Sequence, residues 1–278
     1  MQGYRAPLFG NLPPVIKNLL IANIVVFVID SLLPQSGVFN MTDWFALHNF
    51  QSDKFKPIQL VTYMFMHGGI THIFFNMFAL VMFGRILEQV WGGKRFLVYY
   101  FVTGIGAALC QLTVSYLSLS GLQAEVTAYI NTPDPELLMR IVRGHLDHPA
   151  AWVNDFLAAY STNPDNQAYI QQGIGIVNSL VNMYIDTPTV GASGAVFGVL
   201  LAFGMMFPNV QLMLLFPPIP IRAKWFVLGY GLLELMAVIV PQAGDNVAHF
   251  AHLGGMIFGF FLIRYWNKKG GNMEWNGY

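Results

Sequence analysis

A lone serine stands among glycines in "TPTVGASGAVFG" (187–198), which places Ser193 between Gly191 and Gly194 with Gly198 beyond. Two imidazoles, His249 and His252, open "DNVAHFAHLGGMIFG" (245–259), and "MHGGITHIFFNMF" (66–78) carries His67, His72 and Asn76. A hydroxyl, a base to take its proton and N–H donors for a developing oxyanion are the parts that serine acyl transfer requires. Each group also has a plainer use. The serine and its glycines fit small-residue helix packing. His72 and Asn76, at i and i+4, share a helix face and could hydrogen-bond across helices. His252, on one face with Gly255 and Gly259, could be a proton relay or a metal ligand. Zinc is the weaker option, because no His-Glu-x-x-His spacing occurs and no carboxylate lies among these residues.

The surrounding elements must hold these groups at one depth. The chain of 278 residues is 55% hydrophobic and only 10% charged, against roughly 25% charged in a soluble domain. Its mean hydropathy is +0.51, which leaves too little polar surface for water and predicts an all-α, polytopic membrane protein. A net charge of zero suggests no nucleic-acid partner, and Cys110, the only cysteine, cannot form a disulfide within the chain. Six spans are expected, at 15–33, 69–87, 95–117, 191–208, 224–240 and 247–265, from the rule of about 20 apolar residues per crossing. The first reads as a retained helix, since no small-residue cleavage site follows it.

Positive charge sets the orientation. With the N-terminus cytoplasmic, the inner segments hold Arg5, Lys17, Arg85, Lys94, Arg95, Arg222, Lys224, Arg264, Lys268 and Lys269. The outer ones hold Lys54, Lys56, Arg140 and Arg143. Trp91, Trp225 and Trp266 then mark the inner ends of spans, and a bacterial inner membrane is the expected location. Spans two, four and six all run inward, so their polar clusters meet near the outer face. Ionisable groups at such depth are a functional hypothesis by default.

Residues 118–188 predict an acid-rich, extracytoplasmic helical insertion within a single membrane domain, with Thr132 as the cap of one helix. A structureless segment this long would be improbable. The first outer loop, 34–68, mixes aromatic and polar residues and is expected at the interface. "PQAGDNVAH" (241–249) is expected to cover the site, with Asp245 or Asn246 capping the sixth span. The prolines of "LLFPPIPIRAK" (214–224) preclude a regular helix. Glu234, within the fifth span, reads as a satisfied polar contact near a substrate gate, and His67 as part of a polar entrance.

The chain resembles the rhomboid intramembrane serine proteases across nearly all of its six-helix core. "HGGITHIFFN" (67–76) fits the family's His-xxx-Asn helix, "GASGAVFG" (191–198) its Gly-x-Ser-Gly motif and "AHLGGMIFG" (251–259) its Ala-His-xx-Gly-xxx-Gly motif. The resemblance implies Ser193 as nucleophile and His252 as general base, a dyad without a carboxylate. It implies an oxyanion held by His72, Asn76 and the Ser193 N–H. Gly191 and Gly194 would let backbone approach a substrate, Gly255 and Gly259 would let span six press on span four, and no cofactor is called for. Phe197 stands where some members have tyrosine, keeping a ring to stack on the histidine. Substrates would be transmembrane segments of other proteins, cut near the outer face of the bilayer. The alternative is a rhomboid-like protein that binds transmembrane clients without cutting them; that class lacks the serine or the histidine, and both are present. A proton-coupled transporter is a remote third reading, for want of paired half-helix repeats.

Overall fold

The computed structural model describes residues 12–33, 39–146, 148–213, 218–240 and 247–269. The chain is a helical polytopic bundle, and each expected span is occupied by a helix among the described residues. Helix α1 (Pro14–Leu32) is followed by the short α2 (Met41–Phe45) and α3 (Gln59–Thr62) of the outer loop. Helix α4 (Ile70–Ala79) passes through a π turn at Leu80–Gly84 into α5 (Arg85–Trp91). Next come α6 (Gly93–Asn131), then α7 (Pro135–His145), α8 (Ala151–Thr162) and α9 (Gln167–Asp186). Helix α10 (Ser193–Met206), the β1 (Gln211–Met213) and β2 (Pro220–Arg222) hairpin, α11 (Ala223–Ile239) and α12 (His249–Lys269) complete the order. Pro14–Leu32, Ile70–Trp91 and Gly93–Asn131 are long and apolar enough to cross a membrane, and α10 is a shorter apolar helix.

Helix α10 forms the centre. It is apolar all round and has no outward side, because Ala195, Val199, Ala202 and Phe203 are buried around its circumference by α6, α12 and the α4–α5 helix. Fourteen residues reach only about 21 Å at 1.5 Å per residue, short of a hydrocarbon core of about 30 Å. A helix this short cannot span that core from surface to surface, and its first residue is Ser193. The outward faces stay apolar, as lipid demands: Ile24, Val25 and Val28 of α1 and Leu232, Leu233 and Met236 of α11 are exposed. On the other side of the bundle the buried Glu88 of α5 accepts from the Val15 and Ile16 N–H groups at 3.0 and 2.8 Å. It thereby satisfies donors that α1 cannot pair within itself.

Two expectations need amendment. The helix of the third span does not end at 117; α6 runs unbroken for 39 residues, to Asn131. Thr132 ends α6, while Asp134 caps α7 through its carboxylate to the Leu137 N–H at 2.8 Å. The acid nearer the Pro135 start is the stronger acceptor for that end. The proline-rich inner stretch is flanked by β1 and β2, which pair Gln211 with Arg222 and Met213 with Pro220. The expected cover (241–246), with Asp245 and Asn246, lies outside the described residues.

Candidate active site

The "VGASG" turn positions the serine. Gly191 holds φ at +122°, and a Cβ there would meet the His72 ring at 2.7 Å, so both backbone sign and space call for glycine. Its N–H donates to the Tyr63 carbonyl at 2.9 Å, pinning the turn to the segment before α4. Ala192 then opens α10, and the first-turn N–H groups, that of Ser193 included, have no carbonyl four residues back within the helix. This end is a ready anion site. A Cβ on Gly255 of α12 would overlap the Gly194 carbonyl itself. Gly194 and Gly259 are similarly closed in by Ala107 and Tyr99. The Gly255 contact brings α12 against the head of α10, whereas Gly259, expected to press on span four as well, packs instead on Tyr99 and Thr103 of α6.

That approach puts His252 Nε2 at 2.8 Å from Ser193 Oγ. The Phe197 ring, one turn down α10, stacks on the His252 imidazole with centroids 4.2 Å apart and planes 9° from parallel. His252 is buried. His72 lies over Gly191, across the serine from His252, and its Nδ1 accepts from the Gly68 N–H at 3.4 Å. Asn76 is one turn below it and donates to the His72 carbonyl at 3.1 Å, leaving its second amide hydrogen. His72, Asn76, Ser193, Phe197 and His252 all line one cavity of about 2000 Å³. Its walls reach from Phe75, Phe78 and Met82 on the α4–α5 helix to Phe226 and Tyr230 on α11, and to Tyr184 and Thr187 at the end of α9. The cavity is largely apolar and partly open.

Two residues stand where sequence reasoning did not put them. His67 does not line the entrance: it is buried, its Nδ1 faces the Phe65 carbonyl at 3.3 Å, and it backs His72 edge-on with centroids 5.1 Å apart. Glu234 is the larger departure. Its Oε2 lies 2.9 Å from His252 Nδ1 and 2.6 Å from His249 Nδ1. A base without a carboxylate was expected, and a carboxylate is there. It also removes one argument against a metal, since Glu234, His249 and His252 hold ligand atoms within 4.8 Å of one another. The signal available in the sequence was an acid in an apolar helix. Nothing in its spacing tied it to a histidine 18 residues on, across a loop.

The fold and this cavity define a helical polytopic membrane protein with a serine–histidine pair in a cavity at the head of its central helix. The chain belongs to the rhomboid family: the family's domain model matches residues 54–131 and 158–268, more than half of the chain. It is similar to the RHOMBOID-like protein 12, mitochondrial, of Arabidopsis thaliana, 26% identical over 242 residues, which are 87% of this chain and 55% of the relative. The putative rhomboid protease YdcA of Bacillus subtilis (strain 168) is 31% identical over 97 residues, 35% of this chain and 48% of the relative. The rhomboid protease AarA of Providencia stuartii is 38% identical over 69 residues, 24% of this chain and 25% of the relative. The chain thus spans about half or less of these relatives' length.

Proposed function

We propose that the protein is an intramembrane serine endopeptidase that cuts transmembrane segments near the outer face of the membrane. The observation that carries this is the 2.8 Å contact between Ser193 Oγ and His252 Nε2 at the head of the short, buried α10. His252 takes the serine proton as Oγ attacks the peptide carbonyl, then gives it to the leaving amine. The Ser193 N–H, His72 and Asn76 face the oxyanion of the tetrahedral intermediate, one such donor being worth about 3–4 kcal/mol. Water from the outer side then releases the acyl group. Support for a polypeptide substrate comes from the cavity's volume of about 2000 Å³ and its apolar walls on the α4–α5 helix and α11. The proteases among the relatives support peptide-bond chemistry. The charge asymmetry supports cytoplasmic inner ends for α1 and α12. We further propose one membrane domain with residues 118–188 inserted in it outside the cytoplasm.

The test is labelling of the purified chain by a fluorophosphonate, with the modified peptide mapped, beside cleavage of a helix-destabilised transmembrane substrate. Labelling at Ser193 together with cleavage is expected. A chain that takes no probe and cuts nothing while folded belongs with the client-binding members.

A further inference from the structure

We propose that Glu234 is a positioning residue for His252, making the site a serine–histidine–glutamate triad whose carboxylate is supplied by α11. This rests on the protease reading above. To accept the serine proton, His252 Nε2 must carry none, so the single N–H of the neutral ring has to be at Nδ1. An ionised carboxylate can only accept hydrogen bonds. Glu234 Oε2, 2.9 Å from Nδ1, therefore selects the tautomer in which Nε2 is free to face Ser193 Oγ. The ring is then fixed from two directions: Phe197 holds its plane and Glu234 sets its rotation within that plane. On attack the bond Oγ–H breaks, Nε2–H forms, and the positive charge that appears on the imidazole lies against the carboxylate. In water-poor surroundings that attraction is larger than in bulk solvent.

Glu234 is placed for this by both of its neighbours. The buried residues of α11 are Ala223 and Val227, at its far end, while Leu232, Leu233, Leu235, Met236 and Ile239 around and beyond the glutamate are exposed. The outer half of α11 is thus held to α12 at the carboxylate. His249, one turn before His252, donates to the same Oε2 at 2.6 Å and fixes the carboxylate from its other side. A polar clamp between two helices would use the same contacts, so the test has to separate orientation of the base from attachment of the helix.

The experiment uses the full chain in detergent and compares wild type with Glu234→Gln and Glu234→Ala. It follows the rate of fluorophosphonate labelling at Ser193, kcat and KM on a transmembrane substrate, and the His252 Nδ1 proton by NMR. An orienting carboxylate is worth up to about 10⁴-fold in rate. The expected result is a fall of about 100-fold or more in labelling and kcat for both variants, with KM changed less than about threefold. The downfield Nδ1 proton signal of wild type should be lost in both. Folded variants that label at the wild-type rate overturn the proposal, with the protease reading intact. So does a rise in KM, or loss of the fold, at unchanged kcat per folded molecule, which assigns Glu234 to the clamp. A wild type that takes no probe overturns the protease reading and this proposal with it.

Discussion

At the scale of single residues the site separates two histidines that share a carboxylate. His249 and His252 both meet Glu234, yet the nitrogen that faces Ser193 Oγ is His252 Nε2. His252→Ala is therefore expected to abolish probe labelling and proteolysis, and His249→Ala to leave substantial activity. The opposite pattern would reassign the base. Ser193→Ala should remove cleavage without altering the fold, because the hydroxyl fills no packing space that alanine leaves empty; wild-type turnover by that variant would end the nucleophile assignment. The oxyanion donors act on charge that exists only in the transition state. His72→Ala and Asn76→Ala should each lower kcat by roughly 100-fold with a smaller change in KM, the scale of one lost donor. Full kcat in both would make the pair ordinary helix-to-helix contacts.

At the scale of elements, close backbone contact positions the chemistry, and it can be broken without touching a reacting atom. Gly255→Ala would push a methyl into the Gly194 carbonyl, which is backbone and cannot rotate away. Helices α10 and α12 would have to separate, with an overpacking cost of about 1–3 kcal/mol. The expected outcome is a lower unfolding temperature together with lost labelling at Ser193; a variant as stable and reactive as wild type would show that the helices do not need this approach. The motifs were legible because a glycine constrained by backbone contact leaves its mark at a fixed spacing within one helix. Helix ends and partners between helices were not legible in the same way. The sequence carries no helix-breaking residue at 117, and α6 continues. Thr132 and Asp134 are both capping types two residues apart, so the choice depended on where Pro135 starts its turn. Glu234 reaches its histidines through the packing of α11 on α12, which composition cannot disclose. The outer loop shows a similar hidden organiser. Buried Gln59 donates to the Asp43, Trp44 and Lys54 carbonyls and accepts from the His48 N–H. Burial holds the nearby His48 imidazole below its ordinary value of 6.5. What it contributes to stability is therefore whole above that pH and is lost as the pH falls below it.

At the scale of the whole molecule, the insertion has its own core and yet touches the site. Leu122, Val126 and Tyr129 of α6 pack with Leu138 and Val142 of α7, Phe156 and Tyr160 of α8 and Val177 and Leu180 of α9. None of these belongs to the core around α10. The family match skips residues 132–157, which hold α7 and the start of α8, and resumes before α9. The division has a physical sense. The end of α9 and the short segment after it bring Tyr184, Thr187 and Val190 to the cavity wall, and Leu47 bridges to Thr189 there. The α7–α8 pair instead covers α6 and α9 from beyond. If the charge asymmetry sets the orientation, this second core lies on the same side as the head of α10 and outside the cytoplasm. Position 165, in the exposed turn between α8 and α9, reports that directly. In a Cys110→Ala background, which removes the only native thiol, Asp165→Cys should react with a membrane-impermeant maleimide on intact spheroplasts. Lys94→Cys, exposed in the first turn of α6 at the opposite end, should react only after permeabilisation. The reverse pattern would invert the molecule, placing Ser193 beneath the cytoplasmic face, and substrates would then have to be sought among segments cut from the inside.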